Sequence, residues 1–543
     1  MVFARRSTTL LAAIIASCAM VLSLTACTSD NKTVVDGQTT VTSNSAGGVA
    51  VFTPSDGITL NQQTPLNKWA KLVPDLTKAL VDAGFKKGDI NHTTSDSLDK
   101  QSRAIQDFVV DHLSNNTTDD SGIAIAPDNM TLLVAPVVEA DASTRQYGDY
   151  VSQNLSTNDV TDEGATSDGE SSEDDSSKDD SSNTESDSTA SDEQAQAVDR
   201  LVSSLKLAKE SGMHVVLLGN SIEGYKPDAF VKFSDAQTIG KLQAEKMVSK
   251  LKLDKASKDN PKYIEVLLPY TAMDEKGNAN DSTFAQEAFR GIWQVLGSYY
   301  QKGVVESPSG TLDGKSTEND WQAVAYDAAK EGSTAKVLDK RLAKTDGQST
   351  LTRIDGIITM NDYIASEVVK ELDDLGYTGS AADINPQITI SGIVGNITGK
   401  KDLSRDAVPD PIKSPENDNA NDSSSSDDDA DKDTSASDKD RDSQWPLVTG
   451  YGAYVSNIPS IVNGKQWMTG MEDRQTIATD IAQACAKLNK DEALNSMPSI
   501  RNSEVGGVKK IPTISEPLLA VSASNLKSAL IDPGYISLAD AGL

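Results

Sequence analysis

Short apolar runs alternate with amphipathic stretches along most of this chain, regularly enough to predict its elements. Val49–Thr53 is apolar and stops at Pro54-Ser55-Asp56-Gly57, which predicts a strand and a turn. Residues 66–83 carry Trp69, Leu72, Val73, Leu76 and Leu80 at helical spacing before Gly84. A strand at 90–93 and a helix at 98–113, with Ile105, Phe108, Val109 and Leu113 on one face, follow. Residues 131–138 (TLLVAPVV) form a continuous apolar run, as expected of a strand buried on both faces. The opening therefore reads β, α, β, α, β.

The rhythm resumes with a helix at 197–210 (Leu201, Leu205, Leu207), stopped at Gly212, and a buried strand at 214–218 ending in Gly219-Asn220-Ser221. Downstream, strands are expected at 229–233, 263–268, 304–305, 356–360, 388–394 and 517–521. Helices are expected at 235–251, 285–300, 320–329, 334–344, 364–375 and 477–488. Residues 445–475 (WPLVTGYGAYVSNIPSIVNGKQWMTGMEDRQ) read as strand, loop, helix at 454–462, turn at Asn463-Gly464, and a second strand at 466–471. This is a βαβ pattern, with a ligand cleft expected at the strand ends. Strands alternating with helices predict an α/β class built on parallel sheets. A length of 543 residues fits two such units better than one sheet.

Two stretches break the pattern. Residues 159–193 hold fourteen acidic side chains against one Lys, and 416–442 hold eleven against three basic ones. Nearly devoid of apolar residues, they cannot bury enough surface to offset ordering, so disordered inserts are expected at about 156–196 and 414–444. They carry −13 and −8 of the net charge of −31, leaving only −10 for everything else. No basic surface remains to neutralise phosphates, which argues against nucleic acid. Calcium is not expected either, because no DxDxDG loop with an acidic twelfth position occurs.

The three cysteines are Cys18, Cys27 and Cys485, and the three histidines, His92, His112 and His214, are scattered. No metal site, disulfide framework or His-assisted nucleophile is expected, and with no GxSxG or Walker loop neither an enzyme nor a cofactor is. At the N-terminus, Arg5 and Arg6 precede an apolar run, 10–24, too short for a comfortable membrane span and typical of a signal-peptide core. It ends in Leu24-Thr25-Ala26-Cys27, which resembles the lipobox of bacterial lipoproteins. By that resemblance residues 1–26 are a signal peptide and Cys27 is lipidated. Residues 27–47, rich in Ser, Thr, Asn and Gly, then read as a flexible tether.

With these segments placed, the chain from about Gly48 onward resembles the type I periplasmic solute-binding proteins, nearest the multiple-sugar and xylose-binding branch. The resemblance is carried by Trp69 through Ala83-Gly84-Phe85, Leu132–Pro136, His214–Gly219, Phe233-Ser234-Asp235 with Gly240 and Gln243-Ala244, and Asn361-Asp362. Val448-Thr449-Gly450, Ile461-Val462-Asn463-Gly464-Lys465-Gln466 and Gly507–Pro512 complete it. It implies two α/β lobes joined by three crossings: 48–221 plus 476–507, and 222–475 plus 508–543. They would close on a small ligand as a hinged clamp. The implied protein is a monomeric, lipid-anchored component of an ABC importer on the outer face of the cell membrane. Its partners would be a sugar and the permease subunits. An export signal and no N-terminal helix-turn-helix set aside a repressor on the same fold.

By the same resemblance the ligand-binding residues are Lys68, Trp69, Asn220, Asp235, Asn361, Asp362 and Tyr451. Lys68-Trp69 stands where that branch has Arg-Trp, keeping ring and charge without the Arg fork. Asn361-Asp362 matches, with Asp362 the expected acceptor for sugar hydroxyls. Asn220-Ser221, Ser234-Asp235, Tyr451-Gly452 and Glu472-Asp473 depart from the family's Asp-Arg, Asp-Asn, Gln-Asp and Lys-Asp. Each residue also has a plainer reading: Trp69 as core, Asn361-Asp362 as the cap of the helix that follows. The departures and the acidic inserts leave a second function open, a surface sensory or adhesive lipoprotein with a diverged or lost sugar site.

Overall fold

The computed structural model describes residues 34–35, 38–39, 46–55, 65–115, 125–138, 145–150, 153–156, 185–273, 280–343, 351–381 and 445–543. The chain divides into a small unit, 1–44, and a compact unit, 45–543. In the small unit Val34–Val35 pairs antiparallel with Gln38–Thr39, where a tether was expected. The leader at 1–26 and Cys27 lie outside the described residues.

The compact unit holds two main sheets. Its strands and helices are β1 (Gly48–Pro54), α1 (Trp69–Asp82), β2 (Ile90–Ser95), α2 (Leu98–Asn115), β3 (Met130–Val134), α3 (Glu185–Glu210), β4 (His214–Leu218) and β5 (Ala229–Lys232). Next come α4 (Ala236–Leu251), β6 (Lys262–Val266), α5 (Thr283–Gln301), β7 (Val305–Glu306), α6 (Ser333–Arg341), β8 (Gly356–Ile358) and α7 (Asp362–Asp374). The last are β9 (Leu447–Thr449), β10 (Met468–Met471), α8 (Arg474–Leu488), β11 (Ile500–Val505), β12 (Val508–Ser515) and β13 (Leu519–Ser522).

The larger sheet runs β11-β12-β5-β4-β3-β1-β2, parallel except for β11. Alternate residues of its strands point to opposite faces. Val49, Val51, Leu133 and Val216 pack against Leu72, Leu76 and Leu80 of α1 and Ile477 and Ile481 of α8. Ala50, Phe52, Leu132 and Val215 pack against Ile105 and Val109 of α2 and Leu201 and Leu205 of α3. The smaller sheet, β7-β6-β8-β9, is wholly parallel. Its cover is α4 and α5 on one side, through Ile239, Met247, Phe289 and Ile292, and α6 and α7 on the other, through Leu338, Ile364 and Val368. The class is thus α/β with helices on both faces of parallel sheets, as the pattern predicts.

The chain passes between the halves three times: at Phe233–Asp235, at Glu472–Asp473 and at Glu516–Leu518. The helices that begin beyond the first two crossings are capped by crossing residues, Asp235 accepting from Thr238 N and Asp473 from Thr476 N.

Several expectations differ from what is found. Residues 229–232 and 508–515, expected in the second lobe, pair with each other inside the larger sheet, β5 lying between β4 and β12. The expected βαβ unit at 445–475 is not one, because β10 leaves the sheet and pairs antiparallel with β13. Between β9 and β10 the α-helical residues are only five, Ile458–Val462, preceded by a single 3-10 turn at Val455–Asn457. At 1.5 Å per residue those five span about 8 Å, too short to cover a crossover along a sheet face. The helix expected at 320–329 is one turn, Trp321–Val324, after which Ala325–Tyr326 pairs with Leu268–Pro269. Finally, α3 begins at Glu185, inside the stretch expected to be disordered. Ala195 and Ala197 within α3 are strong helix formers. Residues 157–184, the expected strand at 388–394 and the insert at 414–444 lie outside the described residues.

Candidate functional site

The C-terminal ends of the two sheets meet. Ser234, just past β5, and Tyr451, just past β9, are both buried, and Ser234 Oγ lies 2.5 Å from Tyr451 Oη. Glu472, on the second crossing, completes the junction: its Oε1 accepts from Ser234 N at 2.7 Å, from the Ser234 hydroxyl, and from Tyr451 Oη at 3.4 Å. Burial pushes the Glu472 carboxyl up to about 6, and burial also drives the Tyr451 phenol up. Open-sheet proteins bind ligands at such strand ends.

On the side of the larger sheet stands an aromatic wall. Trp69 is 2% exposed, with its ring edge-on to Tyr150 at 5.0 Å and to Phe233 at 5.7 Å, while Tyr150 stacks on Phe233 at 4.7 Å. Lys68 Nζ pairs with Asp149 Oδ1 at 2.8 Å, and Asp149 Oδ2 accepts from Trp69 N at 3.1 Å. Asp149 thereby satisfies the start of α1, which has no side-chain cap from its own Lys68. Asn220 is buried, donating to Pro136 O and accepting from Gln153 N.

On the side of the smaller sheet, Asn361 caps α7 by accepting from Ile364 N, and its amide donates to Gln146 Oε1 at 3.0 Å. Asp362 is fully buried, and both its oxygens are committed within the protein. Oδ1 accepts from Gln466 Nε2 at 2.7 Å, and Oδ2 from Tyr454 N and Thr469 Oγ1, each at 2.9 Å. Burial pushes this carboxyl up to about 6 against those three donors. A Cβ on Gly450 would lie 2.1 Å from Asp362 Oδ1, so the Thr449-Gly450 pair is a seat for that carboxylate. Asp235 sits apart from this network, paired with Lys232 and Thr238, whose bonds hold its carboxyl below the usual range despite the opposing effect of burial.

Of the seven sequence-predicted residues, Lys68, Trp69, Asn361 and Tyr451 are brought to one junction. Asp362 and Asn220 lie behind its walls, and Asp235 caps a helix at its edge. Tyr147, Tyr150, Phe233, Ser234 and Glu472 also build the junction and were not among the predicted ligands. Phe233, Ser234 and Glu472 adjoin predicted strand ends and were legible as positions. A groove of about 660 Å³ lined by Asp75, Lys78, Gln475, Thr479 and Pro533 contains none of the seven. Among the described residues no cluster of three or more His, Cys, Asp or Glu is placed to hold a metal ion, and no helix is long and apolar enough to cross a membrane.

The junction carboxyl makes a testable pH prediction. The folded-state pKa of Glu472 is raised, so its contribution to stability is fully present below the ordinary pKa of 4.5 and is lost as pH rises through about 6. A shift of this size corresponds to about 2 kcal/mol. Glu472→Gln keeps an acceptor for Ser234 and removes the titration. Its unfolding free energy relative to wild type should rise by about that amount between pH 4.5 and pH 7.5 in urea titrations. A difference independent of pH would contradict the assignment.

No protein-family model matches the sequence, and no curated protein matches it. Among solved structures, the chain is similar to an ABC transporter solute-binding protein from Clostridium phytofermentans with bound β-D-glucose. The two share 16% identity at a TM-score of 0.44, over 91% of this chain and 99% of that one. It is also similar to a carbohydrate transporter solute-binding protein from Chloroflexus aurantiacus in complex with D-glucose: 18% identity, TM-score 0.43, 92% and 98% coverage. A third is an arabinose-binding protein from Geobacillus stearothermophilus: 10% identity, TM-score 0.41, 89% and 99% coverage.

Proposed function

We propose that this protein is an extracytoplasmic solute-binding protein of an ABC importer, taking a carbohydrate between its two halves by hinge closure. It would be held at the outer face of the membrane by a lipid on Cys27. The observation that carries the reading is the meeting of strand ends from two parallel sheets at one junction of ring faces and hydroxyls, spanned by three crossings. Sugars are held by such a combination, ring faces against C–H surfaces and polar groups against hydroxyls. In this reading Trp69 and Tyr451 supply rings, and Lys68 and Asn361 supply donors. Asp362 and Asn220 hold the walls, and Asp235 fixes the start of α4.

Calorimetric titration with a panel of mono- and oligosaccharides is expected to give saturable one-to-one binding. Small-angle scattering should show a smaller radius of gyration in the bound state. No response to any glycan would remove the carbohydrate from the proposal, and mass spectrometry of the membrane-extracted N-terminus would decide the anchor at Cys27.

A second reading, a surface sensory or adhesive lipoprotein with a diverged sugar site, is favoured by one observation: Asp362 spends both its oxygens, and Glu472 its Oε1, on donors of the protein itself. Loss of adhesion or signalling with nutrient uptake intact in cells lacking the protein would select it.

A further inference from the structure

The junction is already occupied by a piece of the same chain. Residues 146–150 lie C-terminal to β3 in the chain and touch groups beyond the C-terminal ends of β1, β5, β8 and β9. The Tyr147 ring, 1% exposed, sits 4.7 Å from the ring of Phe284 and 6.3 Å from that of Tyr451. Tyr150, equally buried, lies against Trp69 and Phe233, and its hydroxyl donates to Lys68 O. Gln146 is held from the other side, its backbone oxygen accepting from Tyr454 Oη at 2.7 Å and its side chain from Asn361. Asp149 N donates to Asn67 O at 2.8 Å. Between them Gly148 has φ +98°, and a Cβ there would meet Asn67 O at 2.6 Å, so only glycine lets the segment lie this close to the wall.

Rings packed on rings, an anion on Lys68 and an oxygen acceptor on Asn361 stand where a sugar's C–H face and hydroxyl oxygens, or a uronate's carboxylate, would make contact in this junction. We infer that residues 146–150 are a tethered occupant of the cleft and that Tyr147 is its specificity-determining residue. A solute enters only by taking the place of the Tyr147 ring. The inference rests on the proposed solute-binding function and concerns the regulation and selectivity of that same site. Two physical consequences follow. Affinity is reduced by the fraction of molecules in which the segment has left. A solute that displaces the segment also strips Asp149 from Lys68, whose side chain is only 13% exposed. Solutes carrying a carboxylate restore that pair, so uronates belong among the probes.

The test uses the full mature chain titrated with D-glucose, L-arabinose, D-glucuronate and, as non-carbohydrates, amino acids and nucleosides. Tyr147→Ala is expected to bind about ten-fold more tightly than wild type. Tyr454→Phe, which removes only the bond to Gln146 O, should shift affinity in the same direction by less. On wild type, saturating solute should accelerate hydrogen exchange at the Asp149 amide, a readout that decides the matter even where Tyr147→Ala folds poorly. A glycan that binds with the Asp149 amide still protected and with unchanged or weaker affinity for Tyr147→Ala overturns the inference and leaves the carbohydrate reading standing. Release of the segment by an amino acid or nucleoside alone supports the inference and overturns the carbohydrate. Binding of no probe by either form overturns both.

Discussion

Asp362→Ala is expected to lower the free energy of unfolding by about 4 kcal/mol, the range of a buried charged network losing one partner. The variant would leave Gln466 Nε2, Thr469 Oγ1 and the Tyr454 amide buried without their acceptor. The loss also reaches beyond one residue, because Asn457 joins the same network through Asp362 O and Gln466 Oε1. These donors come from the loop after β9, from the turn before β10 and from β10 itself, so the carboxylate ties 454–469 to the start of α7. Urea denaturation at pH 7.5 measures the effect as a lower midpoint at an unchanged slope. A variant as stable as wild type that fails only to bind solute would show instead that Asp362 faces the ligand.

Trp69→Ala should cost about 4 kcal/mol as well, through a cavity rather than through orphaned donors. The indole is 2% exposed, edge-on to the stacked pair Tyr150 and Phe233, with its ring carbons within about 3.7 Å of where a Cβ on Gly219 would stand. Trp69→Phe refills part of the space and should recover roughly half of the loss. Because Tyr150 leans on the indole, Trp69→Ala should also speed hydrogen exchange at the Asp149 amide under conditions where the rest of the protein stays folded. A stability change below about 1 kcal/mol would mean that the ring carries little of the core's packing and serves the ligand alone.

The order of strands and helices was legible in the sequence because buried parallel strands are continuous apolar runs and their covering helices carry a single stripe. Leu72, Leu76 and Leu80 illustrate the stripe, and His214–Leu218 the run. Asn361 was legible as a helix cap because a short polar side chain before a periodic run has few other uses. Sheet membership was not legible for 229–232 and 508–515. Pairing depends on which apolar strand lies alongside, and nothing local distinguishes the strand before a crossing from the one after it. The burial of Glu472 was hidden for a similar reason: beside Asp473 and before a helix it looks like an exposed capping residue. Its neighbour does the capping, while Glu472 turns inward to Ser234. Least legible was 146–150, where Gln-Tyr-Gly-Asp-Tyr has neither helical nor strand periodicity. Its position comes from partners more than fifty residues away in either direction along the chain, Lys68 and Tyr454 among them.

The bond from Ser234 to Glu472 joins the first two crossings to each other. Two connectors left separate could twist by different amounts, letting one sheet slide or roll over the other in several directions. Clipped together at buried atoms, they would have to move together. In the hinge closure proposed above, such a clip would favour swinging about an axis through the paired crossings over independent twisting of each.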